Sequence, residues 1–310
     1  MKRLAPVFIL IAGSLWGIMG IFVRKLGNYG FSSIQIASLR IMGGAVIFVA
    51  VTALYDKDKL RIRLRDIGWF IGLGVLSILM FTVCYFTTIS MASLSVAAIL
   101  LYTAPVMVML MSLVLFHEKL DTRKVIALGL AFTGCILVTG MVGGGRISLA
   151  AVGFGLMSGF GYGLYSILGT FALRKYSPVT VTTYAFLCGG AGALFVCRPG
   201  DMAEKIAAAQ DKGRLVLLIF LTAFITAVLP YLFYTIGLSY VKASSASIMA
   251  SIEPVVATIA GVAVFHEGMT GASFAGVVLV LAAIVLLNLP AGRSRALAGM
   301  IGQNFHSNKK

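Results

Sequence analysis

Ten runs of apolar and small residues, each close to the length of a lipid-crossing helix, alternate with short polar breaks along this chain. The runs fall at 4–23, 32–54, 67–89, 93–116, 123–142, 150–172, 179–197, 214–238, 243–265 and 271–289. A helix needs roughly 20 predominantly apolar residues to cross the hydrocarbon core of a bilayer. The pattern therefore predicts an all-α integral membrane protein with ten transmembrane helices. Because the breaks are short, consecutive helices are expected to be antiparallel neighbours. The longest breaks are 55–66, dense in Lys and Arg, and 198–213, of mixed charge.

Polar positions inside the runs are few, and each needs a reason. The stretch Ala243–Glu267 is apolar or small except for Glu253, which lies near its middle and is followed directly by Pro254. A carboxylate at the bilayer midplane costs a few kcal/mol or more unless it faces protein or water. Proline removes one helical hydrogen bond and frees carbonyls that must find other partners. Arg40, inside the second run, needs a partner or a wet cavity for the same reason. Two readings stay open. Arg40 and Glu253 pair permanently as a structural unit, or a substrate or a proton competes for one of them and the pair is a switch.

Composition agrees with the pattern. Of 310 residues, 60% are hydrophobic and 11% charged, with mean hydropathy +1.01; soluble domains carry about a quarter charged residues. The net charge of +15 does not indicate nucleic acid, because the basic residues cluster in short loops between apolar runs. With the N-terminus in the cytoplasm, the inner loops and ends hold Lys2, Arg3, the five basic residues of 55–66, Lys119, Arg123, Lys124, Arg174, Lys175, Lys242 and the tail. The outer loops hold Arg24, Lys25, Arg146, Arg198, Lys205, Lys212 and Arg214. That bias predicts both termini in the cytoplasm of a multi-pass protein of the cell membrane. The first run is too long for a signal sequence and lacks an Ala-x-Ala ending, so it is expected to be retained. Cys84, Cys135, Cys188 and Cys197 sit in or beside apolar runs without CxxC spacing, which supports neither a disulfide framework nor a metal site.

The two halves of the chain repeat. A shift of 149 places Ser95, Ala97, Ile99, Pro105, Val106, Phe116, His117 and Glu118 on Ser244, Ala246, Ile248, Pro254, Val255, Phe265, His266 and Glu267. Phe86-x-Thr88-Ile89 answers Phe233-x-Thr235-Ile236 at a slightly different shift. Five spans per half is an odd number, so the second half enters the membrane upside-down. Inverted repeats of this kind mark secondary transporters, with the substrate site at the repeat interface near the midplane, often where helices are interrupted. Pro105 and Pro254 are interruptions in corresponding places and the candidate hinges.

These residues resemble the EamA-type members of the drug/metabolite transporter superfamily. The resemblance is carried by Gly13-Ser14-Leu15-Trp16-Gly17, Arg40 and Pro105 through Glu118 in the first half. In the second it is carried by Tyr231 through Leu238 and by Ile252-Glu253-Pro254 through Glu267. It implies two repeats, 1–142 and 150–290, followed by a basic cytoplasmic tail, 291–310. It implies a carrier of small metabolites, commonly an exporter, with its cavity formed by spans 1–4 and 6–9 and with spans 5 and 10 peripheral. Two departures stand out: Ala104 matches Glu253, and Trp16 has no obvious partner, Tyr162 and Tyr165 lying at inexact offsets.

Trp16, Tyr85, Tyr102, Tyr162, Tyr165, Tyr231 and Tyr234 lie inside spans. An apolar ring with one polar handle suits either a cavity for amphipathic metabolites or a bond to a neighbouring helix. Gly159-x-Gly161-x-Gly163 follows no strand, so close helix approach explains it better than phosphate binding. His117-Glu118 and His266-Glu267 lack the HExxH pattern and read as polar groups meeting loop backbone at helix ends. The tail is expected to be disordered or to lie on the anionic inner leaflet.

The sum is a secondary active transporter of amino acids or related amphipathic metabolites, most simply an exporter working by alternating access. The alternatives are an uptake carrier or facilitator for the same solutes, or a non-transporting scaffold. An intramembrane enzyme is disfavoured, as the spans hold no clustered His and Asp and no Ser/His pair. The site residues are Glu253, Arg40, Trp16, Tyr85, Tyr102, Tyr162 and Tyr234, with no cofactor and no metal. The expected partners are a small-molecule substrate and the lipid bilayer, and a homodimer stays open.

Overall fold

A computed structural model describes residues 2–92, 94–119, 121–139, 148–266 and 268–289. Among these residues the secondary structure is helical throughout. Among the described residues nine helices are long and apolar enough to cross a membrane: α1 (Lys2–Gly27), α2 (Ser33–Tyr55), α3 (Leu64–Met91), α4 (Val96–Leu115), α5 (Thr122–Thr139), α6 (Leu149–Ala172), α8 (Lys212–Leu238), α9 (Ala243–Phe265) and α10 (Gly271–Asn288). Between α6 and α8 runs α7 (Pro178–Ala193), whose 16 residues rise only about 24 Å. It ends earlier than the apolar run 179–197 suggests. Within the long break 198–213, Pro199–Ala208 forms a short helix. Glu267 and the tail 291–310 lie outside the described residues.

The chain folds as two repeats of five helices, and glycines fix how the repeats meet. A Cβ on Gly13 of α1 would lie 3.0 Å from the Ala250 carbonyl oxygen of α9, and one on Gly17 would lie 2.6 Å from that of Glu253. In mirrored fashion, a Cβ on Gly159 of α6 would lie 3.2 Å from the Leu101 oxygen of α4, and one on Gly163 would lie 3.4 Å from that of Ala104. No larger residue fits at Gly17, because the obstacle includes backbone and not only a movable side chain. Close approach of small residues supplies the van der Waals contact that holds membrane helices together.

These contacts fall where α4 and α9 are broken. Continuous helix stops at Leu101 and resumes at Ala104 in α4; it stops at Ala250 and resumes at Ile252 in α9. Each break lies just upstream of its proline. Pro105 has no N–H for the carbonyl of Leu101, nor Pro254 for that of Ala250. Those two freed carbonyls are the ones against which Gly159 and Gly13 pack.

Two π-helical stretches also recur, Gly72–Leu79 in α3 and Phe224–Val228 in α8. Wide turns of this kind shift the hydrogen-bond register and concentrate at functional sites. Finally, α5 and α10 pack on each other through Gly134 and Gly276, each glycine facing the other's carbonyl. Arg123 at the start of α5 donates to the carbonyls of Leu286, Leu287 and Leu289 at the end of α10, satisfying acceptors that a helix C-terminus leaves open.

Candidate functional site

A cavity of about 50 Å³ lies between the repeats, lined by Trp16, Met19, Arg40, Phe81, Thr82, Tyr85, Phe86, Leu101, Tyr162, Tyr231 and Glu253. Its walls come from α1, α2, α3, α4, α6, α8 and α9. Both glycine contacts and both helix breaks converge on this region, because α1 and α6 press against the breaks of α9 and α4.

Glu253 sits in the first turn of the half-helix Ile252–Phe265. The unpaired N–H groups there carry partial positive charge, which favours a carboxylate. Its hydrogen-bond partner is Tyr162, whose hydroxyl donates to Oε2 at 3.2 Å. Arg40 does not reach Glu253. Its Nη2 donates instead to the Thr226 carbonyl at 3.1 Å, inside the π-helical stretch of α8. Arg40 Nε is buried without a hydrogen-bond partner. Two opposite charges thus border one cavity without forming an ion pair, so the permanent pairing left open by the sequence is not the arrangement adopted.

Aromatic rings close the space. Trp16 meets Tyr162 at 6.0 Å, Tyr231 at 5.2 Å and Tyr234 at 5.5 Å between ring centres, and Phe81 meets Tyr162 at 5.5 Å. The glycine contacts also correct one reading of the sequence. Gly13 and Gly17 correspond to Gly159 and Gly163, an offset of 146, so the counterpart of Trp16 is Tyr162.

Of the seven residues singled out by sequence, Glu253, Arg40, Trp16, Tyr85 and Tyr162 line the cavity. Tyr234 borders a smaller adjoining space, and its hydroxyl is bonded to Ser166 Oγ at 2.7 Å. Tyr102 is not among the lining residues; it packs against the cluster of Cys135, Val255, Val280 and Ile284. The sequence reading missed Met19, Phe81, Thr82, Phe86 and Leu101. Phe81, Thr82 and Phe86 share a helical face with Tyr85, a spacing that could have found them. Among the described residues no group of His, Cys, Asp and Glu could hold a metal ion.

Two helical repeats around an interfacial cavity define a polytopic membrane protein of the carrier type. The chain belongs to the EamA-like transporter family, whose profile matches residues 3–140 and again 149–289. It is 29% identical over 289 residues to an uncharacterized transporter of Archaeoglobus fulgidus, covering 92% of this chain and 96% of that one. It is 22% identical to the uncharacterized inner membrane transporter YicL of Salmonella typhimurium, covering 92% of this chain and 95% of that one. One crystal structure matches with a TM-score of 0.75 at 16% identity, covering 92% of this chain and 97% of that protein; this likeness speaks for the fold alone.

Proposed function

We propose that this membrane transporter is a secondary active carrier that exports amino acids or related amphipathic metabolites by alternating access. The observation that carries the reading is the pair of opposite charges, Arg40 and Glu253, bordering one cavity without pairing. A zwitterionic metabolite offers a carboxylate to the guanidinium and an ammonium group to the carboxylate. The surrounding rings favour an apolar or aromatic body and add cation–π attraction for the ammonium.

The cavity of about 50 Å³ is far below the roughly 300 Å³ of a drug-sized site, so the repeats must part to admit such a solute. The breaks of α4 and α9 beside Pro105 and Pro254 supply the hinges. The distribution of Lys and Arg supports placing both termini in the cytoplasm.

The test begins with a thermal-shift screen of the purified protein against a metabolite library, followed by flux of the hits in liposomes. Amino acids should raise the melting temperature and be moved across the bilayer. Everted membrane vesicles should accumulate the substrate. Folded, reconstituted protein that moves no amino acid would reject the substrate class, and accumulation confined to right-side-out vesicles would reject export.

A further inference from the structure

We infer that Pro230 is a positioning residue for the charge at Arg40. By withholding an N–H, Pro230 keeps the Thr226 carbonyl open, and that carbonyl holds the guanidinium at the cavity, ready for a solute's carboxylate. The inference rests on the reading of the cavity given above, and it adds a residue that is not among those lining the site.

In an α-helix the carbonyl of residue 226 accepts from the N–H of residue 230. Residue 230 is a buried proline inside α8, so that donor is missing. Thr226 is also fully buried, and at this depth a carbonyl needs a partner from the protein. Arg40 Nη2 supplies one at 3.1 Å. The Thr226 hydroxyl is engaged elsewhere, donating to the Thr222 carbonyl at 2.6 Å. Glycines on the same face of α2 as Arg40 let the two helices come this close. A Cβ on Gly43 would lie 2.8 Å from Ala223 Cβ, and one on Gly44 would lie 3.7 Å from Ala227 Cβ. The wide turn of α8 aims the carbonyl, and the proline keeps it open. With Nη2 held, Arg40 Nε stays buried without an acceptor. Carboxylates bind guanidinium groups through two parallel N–H bonds, so a solute's carboxylate can meet the donor that the protein leaves unmet.

The first repeat lacks this arrangement. The shift of 147 that places Phe86 on Phe233 also places Val83 on Pro230 and Leu79 on Thr226. Val83 has the N–H that Pro230 lacks, although α3 carries a π-helical stretch of its own. The position matching Arg40 is Phe186, which needs no acceptor. Proline and guanidinium are thus present together in one arrangement and absent together from its counterpart. A proline that served only to bend the bundle would be expected in both repeats, as Pro105 and Pro254 are.

Pro230→Ala returns the N–H, lets α8 satisfy its own carbonyl and releases Arg40. Two measurements on the purified full chain test this. The first is a thermal cycle that needs no substrate. Arg40→Leu removes the donor to Thr226, and it should lower Tm by roughly 2 °C or more beyond its effect in the Pro230→Ala background. Equal changes in the two backgrounds would overturn the proposal. The second is calorimetry with phenylalanine and phenethylamine, which differ only in the carboxylate. Pro230→Ala should weaken phenylalanine roughly three- to tenfold, the worth of one long side chain held in place, and leave phenethylamine unchanged. Unchanged phenylalanine affinity, or an equal loss for both compounds, would also overturn it. Should Pro230→Ala fail to fold, Pro230→Val supplies the same N–H and fills more of the space the ring leaves. A parent that binds neither compound defeats the substrate reading, and the thermal cycle then decides the role of Pro230 by itself.

Discussion

Replacing Glu253 by Gln separates the two roles open to this carboxylate. Its bond is the one donated by Tyr162 at 3.2 Å, and Arg40 is engaged by Thr226. The substitution therefore breaks no ion pair, and the Gln oxygen still accepts the Tyr162 hydroxyl. What is lost is the difference between a charged and a neutral hydrogen bond, about 1 kcal/mol. Against it stands the relief of no longer burying an ion. Stability should change by less than about 2 kcal/mol, whereas removing one member of a buried ion pair costs about 3–5 kcal/mol.

Thermal unfolding in detergent distinguishes these outcomes, and flux in liposomes tests the chemistry. If Glu253 carries a coupling proton, Glu253→Gln abolishes transport driven by a pH gradient. Substrate-for-substrate exchange survives, because the amide resembles the protonated acid in shape. Parent-level pH-driven transport by the folded variant refutes coupling through this residue. A large loss of stability that Arg40→Gln repairs would instead restore the permanent pair.

Arg40→Gln should leave the protein folded and weaken binding of a carboxylate substrate by roughly 10- to 100-fold, the worth of charge-assisted hydrogen bonds; unchanged affinity by calorimetry would remove Arg40 from the site. Gly17→Ala should destabilise by about 1–3 kcal/mol through overpacking, while Gly20→Ala, which meets nothing within 4 Å, should be neutral or slightly stabilising; equal melting temperatures would reject the α1–α9 contact. On the short helix Pro199–Ala208, the Asp201 carboxyl is held below its ordinary range by Lys205 and then Gln35. A depressed folded-state value means this tie is present above an unfolded value of about 3.9 and is lost as pH falls through the lower folded-state value. Hydrogen exchange in 199–208 should accordingly rise only in acid, and a rise already complete by pH 6 would contradict it. Cysteine labelling should find 55–66 accessible from the cytoplasm, and labelling from outside would reverse the topology.

Much of this architecture was legible because membrane spans announce themselves by length and hydropathy, and because the shift of 149 matches Pro105 to Pro254. The helix breaks were legible for the same reason, since a missing N–H frees the carbonyl four residues upstream. Other features have no local signature. The π-helical turn that presents the Thr226 carbonyl to Arg40 arises from packing, so two opposite charges at similar depth looked like a pair. Tyr102 does not line the cavity because α4 stops at Leu101: across the break the helical phase resets, and the ring packs against residues of α5 and α10 while staying within electrostatic reach of Glu253. The kinship of Trp16 and Tyr162 was hidden by an offset of 146 in place of 149. It shows only through the carbonyls that their neighbouring glycines touch.

That kinship bears on how a symmetric scaffold holds an asymmetric site. Trp16 and Tyr162 occupy matching places in the two repeats and touch each other in the cavity, as equivalent residues do near a two-fold axis. The charged groups break the symmetry. Glu253 is answered by Ala104, and the matched pairs Gly43-Gly44 and Gly189-Gly190 align Arg40 with Phe186. The features that interrupt and pack the helices (prolines, breaks, packing glycines and π-turns) are thus duplicated, whereas the charges at 40 and 253 each occur once. On the proposed alternating-access reading, duplicated mechanics would let either end open by the same motion. On the same proposal, a single carboxylate and a single guanidinium would give a bound solute one orientation, which a symmetric pair of charges would not. Charging Ala104 as Ala104→Glu, or removing the charge at 253, should therefore disturb recognition more than it disturbs the packing of the repeats.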